Sequence, residues 1–268
     1  MKDSEEAREA LAEGSLISHL VELRNRLLRA VIAVVVMFIP CAFFSDQLFT
    51  LVALPLIEKM PMGATMIATS IVAPFMAPLK LALLAGLFLA MPYVLYQAWA
   101  FVAPGLYRHE KRFAVPLVVS SIVLFYAGVA FAYFVVFPLM FAFLTSAAPH
   151  GVQVMTDMTN YLDFVLLLFF AFGIAFEIPI ATVLLASTGL VRIEKMTQNR
   201  GYVILGIFIV AAFLTPPDAV SQSFMAVPMY LLYELGIVMS RILLRNKAAR
   251  QQEEQEEQEP EERAEDPK

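Results

Sequence analysis

Four acidic residues lie where a carboxylate needs a partner, and they are the first candidates for chemistry in this chain. Glu177 is the most demanding of them, because it lies inside the apolar stretch AFGIAFEIPIATVLL. An ionised acid in such a place costs on the order of 2.5 to 3.5 kcal/mol, so its side chain should face protein or water. Two interpretations stay open: a protonated acid satisfied by a neighbouring helix, and an acid that faces a substrate.

The other three acids have ordinary structural explanations when each is considered alone. Glu22 precedes Arg26 by four residues and can form an i,i+4 ion pair worth about 0.2 to 0.5 kcal/mol. Asp218 follows two prolines and precedes an apolar run, which favours a role as a helix cap. Glu110 lies near Arg108 in the polar loop FVAPGLYRHEKR and can be a solvated loop charge. The structural interpretation is favoured for each of these three acids.

The composition predicts the environment in which these acids lie. Hydrophobic residues make up 60% of the 268 residues, charged residues 16%, and the mean hydropathy is +0.72, which is typical of an integral membrane protein. The net charge of -5 misleads, because many acids fall in residues 245–268, which we expect to be a disordered cytoplasmic tail. The single cysteine, Cys41, cannot form an intrachain disulfide.

The apolar runs predict a domain of six helices within residues 15–244. In chain order the predicted spans are Leu27 to Phe44, preceded by an amphipathic surface helix, Leu79 to Ala103, Phe113 to Ala148, Tyr161 to Leu185, Tyr202 to Leu214 and Ala219 to Leu244. Prolines divide residues 45–78 into short amphipathic pieces that suit an extracytoplasmic cap. Pro104 and Gly105 are expected to end the second span, and Pro138 to end or kink the third.

The basic residues predict how these helices are oriented. They cluster at the amino end, in the loops 101–112 and 187–201, and after residue 240, so both termini should be cytoplasmic. Residues 1–14 are polar and acid-rich, unlike a cleaved export signal. The fifth helix, Tyr202 to Leu214, should rise only about 20 Å against a hydrocarbon core of about 30 Å.

No pattern in the sequence favours an enzyme. The three histidines are scattered, and the chain contains no HExxH, GxSxG or phosphate-binding glycine loop. We therefore expect no catalytic residue, metal site or cofactor. A proton-coupled transporter of small solutes is the alternative, but it predicts matching repeats with broken helices, and no convincing pair is visible. A structural membrane scaffold is a further alternative.

Seven stretches of the sequence together resemble one family. They are HLVELRNRLL, ATMIATSIVAPF, YQAWAFVAPGLYRHEKR, FAYFVVFPL, GVQVMTD, AFGIAFEIP and LTPPDAVSQSFMAVPMYLLYE, and they cover nearly all of residues 15–244 in order. The chain resembles the TatC family, the multi-spanning signal-receptor subunit of the twin-arginine protein translocase. The resemblance implies an all-α, glove-shaped concave bundle of six transmembrane helices, with short fifth and sixth helices, in the bacterial cytoplasmic (inner) membrane.

The resemblance also implies a function and its partners. Such a receptor binds signal peptides that carry paired arginines and, with single-span TatA- and TatB-type subunits, exports folded proteins at the expense of the proton-motive force. Guanidinium groups fit carboxylates in bidentate fashion, which lysine cannot reproduce. Membrane lipid and further copies of the chain are also expected as partners, whereas nucleic acid is not.

Matched position by position, the resemblance assigns roles to particular residues. Those for the signal peptide are Glu22, Glu110, Arg24 and Phe101; those for the cavity or another function are Glu177 and Pro55; those for partner docking are Thr215, Asp218 and Gln222. Two departures from the family pattern are Ser70, where relatives often have an acid, and Gln198-Asn199, in a loop that is frequently more basic.

Overall fold

The structure is a computed structural model that describes residues 2–58, 66–106, 114–146, 155–215 and 218–265. These residues are almost entirely helical. In chain order the helices are α1 (Lys2–Phe43), α2 (Ser45–Ile57), α3 (Ala73–Leu106), α4 (Ala114–Phe131), α5 (Phe137–Ser146), α6 (Met158–Ala175), α7 (Ile178–Ser187), α8 (Ile193–Gln198), α9 (Arg200–Leu214) and α10 (Ala219–Glu265). Two short strands, β1 (Met66–Ile67) and β2 (Thr156–Asp157), pair in parallel.

Five helical stretches of the described residues are long and apolar enough to cross a membrane. They are Ile17–Phe43, Ala73–Phe101, Val115–Leu144, Met158–Ser187 and Ala219–Asn246. Helix α9 is apolar but has only 15 residues, which is about 22 Å and less than the thickness of a hydrocarbon core. The all-helical class and the short fifth helix are thus confirmed. The expectation of a short sixth helix is wrong, because its apolar stretch alone has 28 residues.

The helix boundaries of the first two spans differ from those expected. Helix α1 continues without interruption through Leu27, where a surface helix was expected to give way to the first span. The sequence between Gly14 and Pro40 contains neither glycine nor proline, so nothing local ends the helix. Helix α3 begins at Ala73, ahead of the expected start at Leu79. Pro74 falls in its first turn, where a missing N–H breaks no hydrogen bond. It continues past Pro104, the expected end, to Leu106.

The third span contains a π-helix over Ala132–Val136 between α4 and α5. The Phe137 N–H donates to the Ala132 carbonyl, five residues back, directly ahead of Pro138. A proline cannot donate to the carbonyl four residues before it, so the wider turn lies where the regular α-helical ladder would fail. The sequence indicated an end or a kink at Pro138, and the structure has this π turn.

The fourth span is interrupted, which the sequence did not predict. Helix α6 ends at Ala175 and α7 begins at Ile178. Pro179 occupies the first turn of α7, so it cannot donate to the Ala175 carbonyl. The Glu177 N–H instead donates to the Ile174 carbonyl at 2.9 Å. The apolar run is therefore two helices joined at the acid.

The backbone after the last span is helical through Glu265, where the composition favoured a disordered tail. The segment is rich in glutamate and glutamine and has a single proline before that residue. These residue types have high intrinsic helix propensity. Low hydrophobicity prevents such a segment from forming a core, but it does not prevent a helix.

The chain divides into two compact units, residues 1–170 and 171–268. In the first unit, α1 packs along α3, and Gly86 allows the backbones to meet. A Cβ at Gly86 would lie 2.7 Å from the Cα of Phe38. The fully buried side chains of this unit include Phe125, Phe137 and Leu162.

In the second unit, α10 packs against α7 and α9. Gly236 of α10 faces Pro179 and Thr182 of α7, where a Cβ would lie 2.9 Å from the Cα of Pro179. Helix α8 is held to α10 by a small core in which the Tyr233 hydroxyl donates to the Met196 carbonyl at 2.9 Å. Both units thus rely on close helix contacts.

Replacing Gly86 with alanine should lower the thermal unfolding midpoint of the purified protein in detergent. The added Cβ would lie 2.7 Å and 2.8 Å from the Cα and N of Phe38, and overpacking of this kind typically costs about 1 to 3 kcal/mol. Gly206→Ala is the matched control, because among the described residues no atom lies within 4 Å of its added Cβ. The control should be neutral or stabilising. Equal loss of stability in both variants would contradict the close contact between α1 and α3.

Candidate functional site

The first candidate site joins the amino-terminal part of α1 to the carboxyl-terminal part of α3. The Arg26 guanidinium donates from Nε and Nη2 to Oε1 of Glu22, at 2.8 and 2.6 Å. Its third nitrogen, Nη1, donates to Oε1 of Gln97 at 3.2 Å. Gln97 is buried, with 5% of its surface exposed. The i,i+4 pair expected from the sequence is therefore confirmed, and it is anchored to a second helix.

This pair lines an open groove of about 310 Å³ on α1. The groove is lined by Ser18, Val21, Glu22, Asn25, Arg26 and Arg29. The Glu22 side chain is 38% exposed and that of Arg26 22%, so the carboxylate is the more accessible partner. The groove thus presents an accessible carboxylate beside cationic side chains, which suits a ligand that brings its own cation.

Phe101 borders the same site. It lies one helical turn after Gln97 on α3, and its ring stacks on His19 of α1 with 4.3 Å between centroids and 18° between planes. His19, Glu22 and Arg26 follow one another at helical spacing, so they share a face of α1. Arg24 is exposed and donates to the Asn25 side chain at 3.2 and 3.4 Å.

The structure thus brings Glu22 and Phe101 to one site and places Arg24 on the same helix without a contact to Glu22. Glu110 lies outside the residues that the structure describes. The joint role of the two acids therefore stays a prediction.

Pro55 leaves a backbone carbonyl without its helical donor. It lies within α2, and proline has no N–H to give to the Leu51 carbonyl four residues earlier. The Tyr133 hydroxyl donates to that carbonyl at 2.9 Å, and the Tyr161 hydroxyl donates to the next one, of Val52, at 2.7 Å. Pro55 therefore creates the acceptor by which α2 is joined to the third span.

The same arrangement recurs at Pro92 within α3. Its missing N–H leaves the Phe88 carbonyl without a helical donor, and the Tyr126 hydroxyl of α4 donates to it at 2.8 Å. A tyrosine on a neighbouring helix thus satisfies each of these two carbonyls.

Glu177 lies at the junction between α6 and α7 and is half-buried. Its backbone carbonyl accepts the Ala181 N–H at 2.9 Å and so begins α7. The acid therefore coincides with an interruption of the apolar span, a place where the backbone itself is more polar than in a continuous helix.

The three residues matched to partner docking lie at the end of α9 and the beginning of α10. Asp218 caps α10, because its Oδ1 accepts the Ser221 N–H at 2.7 Å, and this bond lowers the pKa of the Asp218 carboxyl. Thr215 is buried and donates its hydroxyl to the Ala211 carbonyl at 2.9 Å. Gln222 is half-buried, one turn into α10. The cap expected from the sequence is confirmed.

Sequence reasoning missed two long-range ion pairs. Lys80 of α3 lies 2.8 Å from Asp163 of α6. In the second unit, Arg200 contacts both carboxylate oxygens of Glu234, at 2.6 and 2.7 Å, and Tyr230 donates to the same carboxylate at 2.7 Å. Each of these charged residues lies in or beside an apolar run, and a charge in such a place needs a partner of opposite sign. That pattern was the signal that could have predicted the ion pairs.

Asp157 of β2 joins the short sheet to α6 by hydrogen bonds. Asp157 accepts the Thr69 hydroxyl at 2.6 Å and its N–H at 3.1 Å, together with two N–H groups from the first turn of α6. These bonds, led by the Thr69 hydroxyl, lower the pKa of the Asp157 carboxyl from 3.8 to about 2. Because the folded-state pKa is depressed, the stabilisation is present above about pH 4 and is lost as the pH falls towards 2.

Comparisons with known proteins give one consistent answer. A family model described as Sec-independent protein translocase protein (TatC) matches residues 18–228. A TatC protein of Azotobacter chroococcum mcd 1 is 56% identical over 87% of this chain and 92% of its own length. That of Escherichia coli (strain K12) is 51% identical over 88% and 92%. A crystal structure titled Twin Arginine Translocase Receptor TatC superimposes with a TM-score of 0.76 at 37% identity, covering 84% of this chain and 98% of the other.

Replacing Tyr133 with phenylalanine should lower the thermal unfolding midpoint, because the Leu51 carbonyl loses its donor. The expected loss is about 0.5 to 1.5 kcal/mol, the net value of one hydrogen bond. Adding Pro55→Ala should recover part of that loss, since alanine returns a backbone N–H to the same carbonyl. Tyr202→Phe, at a ring that is 78% exposed, is the control and should change little. A double variant less stable than Tyr133→Phe alone would contradict this role of Pro55.

Proposed function

This chain belongs to the TatC family of Sec-independent protein translocase proteins, and we propose that it is the receptor subunit that binds paired-arginine signal peptides. With single-span TatA- and TatB-type subunits it exports folded proteins across the bacterial cytoplasmic membrane. As a member of this family it is a membrane-embedded transport subunit and not an enzyme. The family assignment replaces the alternative of a small-solute transporter.

One observation carries the proposed recognition of arginine. The Glu22 carboxylate already holds a guanidinium in this structure, that of Arg26, through two N–H donors. The groove around it is open, and the Glu22 side chain is 38% exposed. A carboxylate that accepts a guanidinium from its own helix has the chemistry to accept one from a peptide.

The second acid of the proposed receptor is Glu110. It belongs to the segment that connects α3 to α4 and follows Phe101 by nine residues. Phe101 is stacked on α1 close to Glu22, so the connection begins at the same end of the helices as the groove. This proximity in sequence supports a site with one carboxylate for each arginine.

The charge distribution supports the proposed orientation. Arg24, Arg26 and Arg29 lie in the amino-terminal part of the apolar stretch of α1, and Arg241 and Arg245 lie in the carboxyl-terminal part of that of α10. Basic flanks of short segments stay in the cytoplasm, which supports the proposal that both termini lie there. The proton-motive force is the proposed source of energy, as the family resemblance implies.

The remaining matched residues are given roles that their surroundings allow. For Glu177 we propose contact with a bound peptide or cargo, because its junction interrupts an apolar span. Gln222 is the proposed contact for a single-span partner. The Thr215 hydroxyl is bonded to α9 and the Asp218 carboxylate to α10. These two residues are therefore proposed to shape the docking surface, and Gln222 to supply its exchangeable hydrogen bond.

Replacing Glu22 or Glu110 with glutamine should weaken the binding of a paired-arginine peptide far more than that of a paired-lysine peptide. A hydrogen bond to a charged group contributes about 1.5 to 3 kcal/mol, so each loss should cost about ten- to over one hundred-fold in affinity. The measurement is the dissociation constant of both peptides in nanodiscs at one fixed salt concentration, since the attraction is partly screened. Glu194→Gln, the same change at an exposed acid of α8, is the control. Affinities equal to wild type in both variants would remove the proposed mechanism.

Replacing Gln222 with leucine should lower the amount of single-span partner that co-purifies with the protein. Interhelical hydrogen bonds in lipid average about 0.6 kcal/mol, so docking should weaken without being abolished. Ser223→Ala is the control, because the Ser223 hydroxyl donates to the Ala219 carbonyl of its own helix at 2.6 Å. Undiminished co-purification with Gln222→Leu, even when Thr215→Val is added, would exclude the contact.

A further inference from the structure

The proposed arginine receptor is already occupied by an arginine of its own chain. Arg26 holds Glu22 through Nε and Nη2, with both bonds on Oε1, and these are the donors that an arriving arginine would use. A second guanidinium cannot take the same geometry on this oxygen while Arg26 remains. A cation on the other carboxylate oxygen would lie beside the like charge of Arg26, so binding through Glu22 favours an exchange in which Arg26 leaves.

We propose that Arg26 is a resident competitor that sets the affinity of the signal-peptide site, and that Gln97 retains its guanidinium when a peptide arginine displaces it from Glu22. The proposal rests on the proposed function, since it concerns the same carboxylate. Arg26 and Gln97 are positioning residues in this scheme, because they act on the peptide through Glu22.

Gln97 gives the displaced guanidinium a place to stay. Its Oε1 accepts Nη1 of Arg26 at 3.2 Å, on the nitrogen that Glu22 does not use. Gln97 is 5% exposed and belongs to α3, whereas Glu22 and Arg26 belong to α1. Release from Glu22 therefore leaves Arg26 with a buried acceptor on a second helix, and the exchange does not strand a partly buried cation.

The competition lowers the apparent affinity of every peptide that binds through Glu22. When the competent state is only a fraction of the population, the apparent dissociation constant equals the intrinsic one divided by that fraction. The fraction is a property of the empty receptor, so paired-arginine and paired-lysine peptides are weakened by the same factor. Arg26 thus sets how far the apparent affinity of every peptide falls below its intrinsic affinity. Direct contacts between the receptor and the peptide set the preference for paired arginine over paired lysine.

The test compares Arg26→Gln with Arg29→Gln in the full-length protein in nanodiscs. Both variants remove one positive charge from the same groove, but only the first removes the partner of Glu22. Arg26→Gln should bind both peptides with about two- to fivefold higher affinity than Arg29→Gln does, which is the range expected for an ion pair of this exposure. The ratio of the two affinities should stay at its wild-type value. Weaker binding by Arg26→Gln, or binding equal to that of Arg29→Gln, would overturn the proposal.

A double-mutant cycle tests the role of Gln97 separately. Gln97→Leu should weaken both peptides when Arg26 is present, because the displaced guanidinium loses its acceptor, and should have no effect in the Arg26→Gln background. Thermal midpoints of all variants show whether each remains folded. An equal effect of Gln97→Leu in both backgrounds would show that Gln97 does not act through Arg26.

Glu22→Gln separates this proposal from the function on which it rests. If Glu22→Gln binds the paired-arginine peptide as tightly as wild type, the receptor role of Glu22 fails, and the competitor fails with it. If Glu22→Gln weakens binding while Arg26→Gln does not tighten it, the receptor role stands and only the resident competitor is overturned.

Discussion

A backbone carbonyl inside a membrane must find a donor within the protein, and much of this structure follows from that requirement. No water is available there to satisfy such a group, yet the apolar helices contain several prolines, each of which removes one donor. In the second span the Tyr126 hydroxyl donates to the carbonyl left by Pro92, and Tyr133 does the same for Pro55 in α2, an apolar helix outside the five long spans. A π turn precedes Pro138, and a helix junction precedes Pro179. Each of these four prolines is thus associated with a tertiary contact or an irregular turn.

The same constraint governs charged side chains, but its outcome differs with depth and exposure. Lys80 pairs with Asp163, and Arg200 pairs with Glu234, so each charge within or beside an apolar segment has a partner on another helix. The Glu22–Arg26 pair lies within one helix and beside an open groove. A bond that water and other cations can reach is exchangeable, which suits recognition better than structural support.

Features set by local sequence were predictable. The helical class, the short α9, the Asp218 cap and the Glu22–Arg26 pair each depend on residues a few positions apart. What could not be predicted depends on neighbours distant in sequence. Nothing near Arg26 points to Gln97, 71 residues away, and nothing near Leu51 points to Tyr133.

Other misses arose where local signals compete. Proline was read as a helix end at Pro104, although α3 continues to Leu106. The charged tail was read as disordered, although its residues favour a helix. In the fourth span, apolar composition concealed the junction at Glu177, because hydropathy does not register a missing backbone donor.

The glycine contact between α1 and α3 has a mechanical consequence for recognition at the ends of these helices. Gln97 lies eleven residues beyond Gly86, which is about 16 Å along the axis. If α3 tilted by about five degrees about this contact, Gln97 would move by about 1.4 Å. Hydrogen bonds tolerate only a few tenths of an ångström. The position of Gln97, and with it the Arg26 guanidinium that Gln97 holds in the groove, therefore depends on a buried helix contact about 16 Å away. A change of packing at Gly86 would thus alter the groove without altering any residue that lines it.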